Sequence, residues 1–136
     1  MIFKSTDEST ATVDIAAVDL HTGRCDLLKA GAAPTIVRRS GRTGKAQSTS
    51  LPAGILRDIA FDKATIRLKP GDILLLLSDG ATATGTEWIC AELENWEKGS
   101  AQELSEKISL SAKRRRTDDH EDDITVMALI IEKAEF

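Results

Sequence analysis

The chain has 136 residues, 41% hydrophobic and 29% charged, an ordinary globular balance that excludes a disordered polar chain and fits one domain with one core. Aromatic residues make up only 4% and tyrosine is absent, so the core must be aliphatic. The net charge of −4 carries no sign of a nucleic-acid or anionic-membrane partner, and no apolar run approaches the length of a membrane span.

Two cysteines, Cys25 and Cys90, form neither a CxxC pair nor a disulfide framework, which fits a reducing compartment. Both read as small buried hydrophobes. The N-terminus has no signal-peptide pattern. The expected location is cytoplasmic, with any membrane anchor of a longer parent chain lying elsewhere.

No repeat or long linker divides the chain, so residues 1–136 are read as a single domain. Residues 1–9 are polar and lead in. In "TATVDIAAVDL" (10–20), Val13, Ile15 and Ala17 alternate with Asp14 and Ala16, as in a half-buried strand. "HTGR" (21–24) is a turn, and "CDLLKAG" (25–31) is the returning strand of a hairpin. "TIVRRSG" (35–41) is strand-like, "GRTGKA" (41–46) reads as a second turn, and "LPAGIL" (51–56) as a loop. In "AFDKATIRL" (60–68), Ala64, Ile66 and Leu68 alternate with Thr65 and Arg67, giving another strand.

"KPGD" (69–72) is a type I or II turn. "ILLLLS" (73–78) has no alternation, which suits a strand buried on both faces. The period then changes. Ile89, Leu93 and Trp96 lie on one helical face, with Gly99 as a stop. Ser100 and Glu103 form a capping box, and Ala101, Leu104, Ile108 and Ala112 make the inner stripe of a second helix. "KRRR" (113–116) lies in its last turn, where cations oppose the dipole. "TDDHEDD" (117–123) is an acidic loop, and "ITVMALII" (124–131) a final buried strand expected beside 73–78. Strands, a helix pair and one more strand argue an α+β layered domain.

Two carboxylate groups occupy comparable places. Asp79 follows one strand; Asp122 and Asp123 precede another. If the strands are antiparallel neighbours, both groups lie at one sheet edge, where carboxylates repel unless a cation compensates. Hard divalent ions such as Mg²⁺ and Mn²⁺ prefer such oxygens, and Gly80 would allow a tight turn beside a hydrated ion. On sequence alone Asp79 serves equally well as a turn residue capping its own backbone, and the 118–123 cluster as a solvated loop. His120 and His21 read as solvated loop and turn residues. Ser78 lacks a nucleophile-elbow pattern, and no Ser–His–Asp or Cys–His arrangement is evident. Arg114–Arg116 offer guanidinium forks to a phosphate, or simply end a helix.

"GDILLLLSDG" (71–80) followed by "EDDITVMAL" (121–129) resembles the C-terminal half of the metal-dependent PPM (type 2C) protein phosphatases. "VDIAAVDLHTGRCDLLKAGAAPTIVRR" (13–39) and "SLPAGIL" (50–56) resemble the bacterial SpoIIE/RsbU-like branch, the SpoIIE type above all. The resemblance runs from about Thr10 to Glu132. It implies a β-sandwich flanked by helices, incomplete for want of an N-terminal half. It also implies Asp79 and Asp122, or Asp123, as ligands of Mn²⁺ or Mg²⁺, and water attack on phosphoserine or phosphothreonine without a covalent intermediate. The implied partner is a phosphorylated regulatory protein of the anti-sigma-factor-antagonist type.

Relatives carry a further aspartate on an early strand and a second Asp-Gly motif; here Asp79-Gly80 is the only Asp-Gly dipeptide. The expectation is therefore weak metal binding, little hydrolysis by the chain alone, and association into a homo-oligomer through uncovered surface. A non-catalytic partner-binding or dimerisation module is the alternative. A phosphoacceptor receiver domain, also with an aspartate after a buried strand, is set aside because receivers alternate strands and helices throughout.

Overall fold

The computed structural model describes residues 12–47, 62–116 and 123–134, arranged as two antiparallel sheets and three helices, an α+β architecture. The loop expected at 51–56 and the acidic residues 117–122 lie outside the described residues. The chain forms two compact units.

The first unit holds a three-stranded sheet, in which β2 (Arg24–Ala30) lies between β1 (Val13–Val18) and β5 (Asp62–Arg67). The β1–β2 turn is held by Asp19, whose Oδ1 accepts from the main-chain N–H of His21 (2.9 Å) and Thr22 (3.3 Å). Those two N–H groups keep the Asp19 carboxyl below its ordinary range.

The alternation in β1 is real, but its phase is the reverse of the sequence expectation. Ile15 and Ala17 are exposed, whereas Asp14, Ala16 and Val18 are half-buried. The register explains this: Asp14, Ala16 and Val18 lie opposite Lys29, Leu27 and Cys25, the buried face of β2. Lys29 sits on that face at 2% exposure and bonds Asp14 across the pair, Nζ to Oδ1, at 2.8 Å. A buried ammonium needs a carboxylate more than Ile15 needs cover.

The second unit holds a four-stranded sheet in the order β4-β3-β6-β7, with β3 at Thr35–Arg39, β4 at Arg42–Ala46, β6 at Ile73–Leu77 and β7 at Val126–Ile130. Residues 42–46, expected in a turn, are strand instead. Ser40 (φ 49°) and Gly41 (φ 77°) complete a two-residue reversal between the paired Arg39 and Arg42. Two consecutive positive φ values are what a type I′ hairpin requires, so the chain can return to extended geometry at once. The Lys69–Asp72 turn is of type II, with Gly71 at φ 95° and Asp72 N–H bonded to the Lys69 carbonyl at 2.9 Å.

Helices α1 (Asp79–Thr82), α2 (Glu87–Glu94) and α3 (Ala101–Arg115) follow β6. The α3 capping box forms as expected: Ser100 Oγ accepts from Glu103 N–H at 3.1 Å, and the Glu103 carboxylate accepts from Ser100 N–H. Leu104, Ile108 and Ala112 are buried and join Ile36, Leu75, Leu77, Trp88, Ile89 and Leu93 in one apolar cluster. Helix α2 stops at Glu94 rather than near Gly99, because the Arg38 guanidinium takes the carbonyls of Leu93 (2.7 Å) and Trp96 (2.6 Å). β7 is less buried than expected: Met127 is 57% exposed, and β7 ends the sheet among the described strands.

Candidate active site

Strand β6 brings Asp79 to its place. Ile73, Leu74, Leu75 and Leu77 are buried, and β6 is hydrogen-bonded on one side to β3 and on the other to β7. A strand so enclosed has a fixed end, and α1 begins directly after it. Asp79 is the first residue of α1 and is exposed. Gly80, expected in a tight turn, lies inside this helical turn instead and is buried with Ala81. Ala81 and Thr82 donate main-chain N–H groups to the Ser78 carbonyl, which satisfies the end of the strand by starting a helix.

The second group comes from the approach to β7. Leu77 lies opposite Val126 in the antiparallel β6–β7 ladder, so the residues after β6 and those before β7 share one end of the sheet. Ser78 extends that ladder. Its N–H donates to the Thr125 carbonyl (3.0 Å), its Oγ accepts from Thr125 N–H (2.9 Å), and its hydroxyl donates to the Asp123 carbonyl (3.0 Å). Asp79 and Asp123 are thus brought to one sheet edge, as the sequence suggested. Asp122 and His120 lie outside the described residues. His21 is an exposed turn residue of the first unit.

The donor chemistry fits a hard divalent cation in kind. Asp79 and Asp123 are exposed carboxylates, so binding an ion costs them little burial. Among the described residues no group of three or more His, Cys, Asp or Glu side chains converges. Mg²⁺ seeks six oxygens and holds its waters.

The arginine run at the end of α3 is partly engaged within the fold. The Arg115 guanidinium lies over the Trp88 ring at 4.8 Å, and Arg116 is the C-cap. Beside it a shallow groove of about 600 Å³ runs between α3 and the start of β7, lined by Ser109, Leu110, Lys113, Ile124 and Thr125 among others. Ser78 is the site residue that the sequence reading missed. It fits no nucleophile pattern, and its use is as a three-way hydrogen-bonding link. A serine between a buried strand and Asp-Gly was the available signal.

The fold has solved counterparts. It superposes with a TM-score of 0.78 on the phosphatase domain of the cell fate determinant SpoIIE from Bacillus subtilis, 28% identical, with 98% of this chain and 61% of that chain covered. The RsbU and RsbW domains of a Mycobacterium tuberculosis protein share the fold at a TM-score of 0.70 and 18% identity, over 91% of this chain and 37% of theirs. The architecture is that of the PP2C phosphatase domain. The model of the Stage II sporulation protein E (SpoIIE) family matches residues 2–132, and the chain belongs to that family. Stage II sporulation protein E of Bacillus subtilis (strain 168) is 28% identical over 135 residues. The match takes in 95% of this chain and only 16% of that protein, so the chain corresponds to a small part of its curated relative.

Proposed function

We propose that this chain is the C-terminal part of a metal-dependent serine/threonine phosphatase domain acting on phosphoserine in a regulatory protein of the anti-sigma-factor-antagonist type. Family membership supports the reaction class. The observation that carries it to residues is the placement of Asp79 and Asp123 at the same end of the β6–β7 ladder. Asp79, with Asp122 or Asp123, would hold Mn²⁺ or Mg²⁺. Such ions neutralise phosphoryl charge and lower the pKa of bound water. The chain's own part is to fix the two carboxylates on a rigid strand end and keep them exposed to a phosphorylated segment. No side-chain nucleophile is required of it.

With one Asp-Gly dipeptide, the chain by itself supplies too few ligands for useful hydrolysis. We place it in the cytoplasm, with no membrane contact of its own. Titration calorimetry with Mn²⁺ tests the reading: weak binding by the wild type and at least tenfold weaker binding by Asp79→Asn are expected. Equal affinity in the two would overturn it. Manganese-dependent phosphate release from a phosphoserine protein, abolished by Asp79→Asn, would show that the chain suffices alone.

A second reading, a non-catalytic association module, draws on β7. It pairs on one side only among the described strands and exposes Met127. Unpaired apolar edges recruit further strands. Light scattering should then report a dimer or larger species; a monomer mass at high concentration removes this reading and the homo-oligomer with it.

A further inference from the structure

We infer that Ser78 is a positioning residue of the candidate metal centre: its side chain sets the spacing between the Asp79 and Asp123 segments. The inference rests on the metal reading above and adds to it a residue that touches neither ion nor substrate.

The hydroxyl makes two side-chain bonds to the same short segment of the neighbouring strand approach. It donates to the Asp123 carbonyl at 3.0 Å and accepts from the Thr125 N–H at 2.9 Å. One hydroxyl has one proton to give and lone pairs to receive, so this use is complete and mutually consistent. The main chain adds a third bond, Ser78 N–H to the Thr125 carbonyl, at 3.0 Å. The last paired residues of the ladder are Leu77 and Val126, so Ser78 is where regular pairing gives out. Beyond the Ser78–Thr125 main-chain bond no further ladder pair follows, and both carboxylates sit beyond it. Asp79 is the next residue after Ser78. Asp123 is tied through its own carbonyl. The hydroxyl therefore closes the gap that the ladder leaves open, at the place where a cation would be sensitive to an ångström of spread.

A second observation separates this role from capping. Ser78 occupies the N-cap of α1, yet its side chain makes no cap bond to that helix. A serine there would ordinarily accept from an N–H of the first turn. Here the hydroxyl turns to β7 instead, and the strand-to-strand link takes precedence over four residues of helix.

Groups that orient the ligands of a metal typically change affinity by about 10- to 100-fold when removed. The variants to compare are Ser78→Ala, which removes both side-chain bonds, and Ser78→Thr, which keeps the hydroxyl. Mn²⁺ affinity by calorimetry should fall about tenfold in Ser78→Ala and stay within about twofold of wild type in Ser78→Thr. Hydrogen exchange at the Thr125 amide, read without metal, should accelerate in Ser78→Ala and be restored in Ser78→Thr. A merely structural serine would lower the melting temperature without this affinity split.

Wild-type Mn²⁺ affinity in Ser78→Ala, alongside a loss in Asp79→Asn, would overturn the positioning role and leave the metal reading intact. Equal affinity in wild type and Asp79→Asn, or no binding by any of the proteins, would overturn the metal reading and this role together. Unchanged Thr125 exchange in Ser78→Ala would overturn the link itself, whatever the metal does.

Discussion

The two units solve burial in different ways. In the second, β6 and the inner stripe of α3 meet in one apolar cluster, and the polar groups hold its margins: Arg38 on the end of α2, Thr43 Oγ1 on Glu94 (2.9 Å), Lys45 on Thr86 (3.2 Å). In the first, an ion pair lies on the buried face itself, Lys29 beside Leu27 and Cys25, answered by Asp14 across the ladder. Its outer face carries a polar ladder, Asp26 accepting from Thr65 Oγ1 (2.8 Å) and Arg24 Nε (3.2 Å). Tolerance to substitution therefore differs between them. A cluster that depends on volume resists losses of volume poorly; a sheet organised by a charge pair resists losses of partner poorly. The candidate site belongs to the volume-dependent unit, which suits a site whose geometry must not drift.

The largest test of that contrast is Ile108→Ala, at a fully buried position of the cluster. It should cost about 2–5 kcal/mol by denaturant unfolding, since the cavity left under α3 cannot fully collapse. A cost near zero would mean that the second unit is loosely packed. Next comes Lys29→Met in the first unit, which leaves Asp14 without its ammonium. The expected cost is about 1.5–3 kcal/mol, with recovery of much of it in the Lys29→Met/Asp14→Leu double variant, because an apolar pair of similar shape removes the stranded charge. If the double variant is as damaged as the single one, the pair is not what organises that face.

The smallest effect concerns acid. The hydroxyl of Thr65 first, and Arg24 after it, hold the Asp26 carboxyl below the ordinary carboxylate range. A lowered folded value means that the unfolded chain takes up the proton first. The stabilisation is therefore full above the ordinary value, about 4, and is lost as pH falls through the lower folded one. Asp26→Asn should lower neutral stability slightly and make the loss below about pH 4 less steep, so that the two proteins converge in strong acid. An unaltered acid limb would show that this exposed ladder contributes nothing.

Much of this was legible beforehand, and the legible parts share a cause. Uninterrupted leucines at 74–77 signal a strand enclosed on both sides, and Ser100 with Glu103 signals a helix start, because both depend on neighbours in sequence. The pairing of β6 with β7, and with it the meeting of Asp79 and Asp123, followed from two apolar strands carrying carboxylates at matching ends. The misreadings have a cause too. Hydrophobicity alone ranks Ile15 above Asp14 and turns the wrong face of β1 inward, and only the register opposite Lys29 reverses that ranking. Gly41 and Gly44 suggest a loop where β4 lies, while the two-residue reversal at Ser40–Gly41 confines the turn.

Hydrophobic period, caps and turn residues act over a few positions, so the α+β class, most of the elements and the two aspartate motifs can be read from the residues alone, β4 excepted. The phase of β1, the early end of α2 under Arg38, and the use of Ser78 come only with the fold. Each of these depends on a partner distant in the chain. A hydroxyl or a guanidinium has no preference of its own until the fold brings it an unsatisfied carbonyl or N–H.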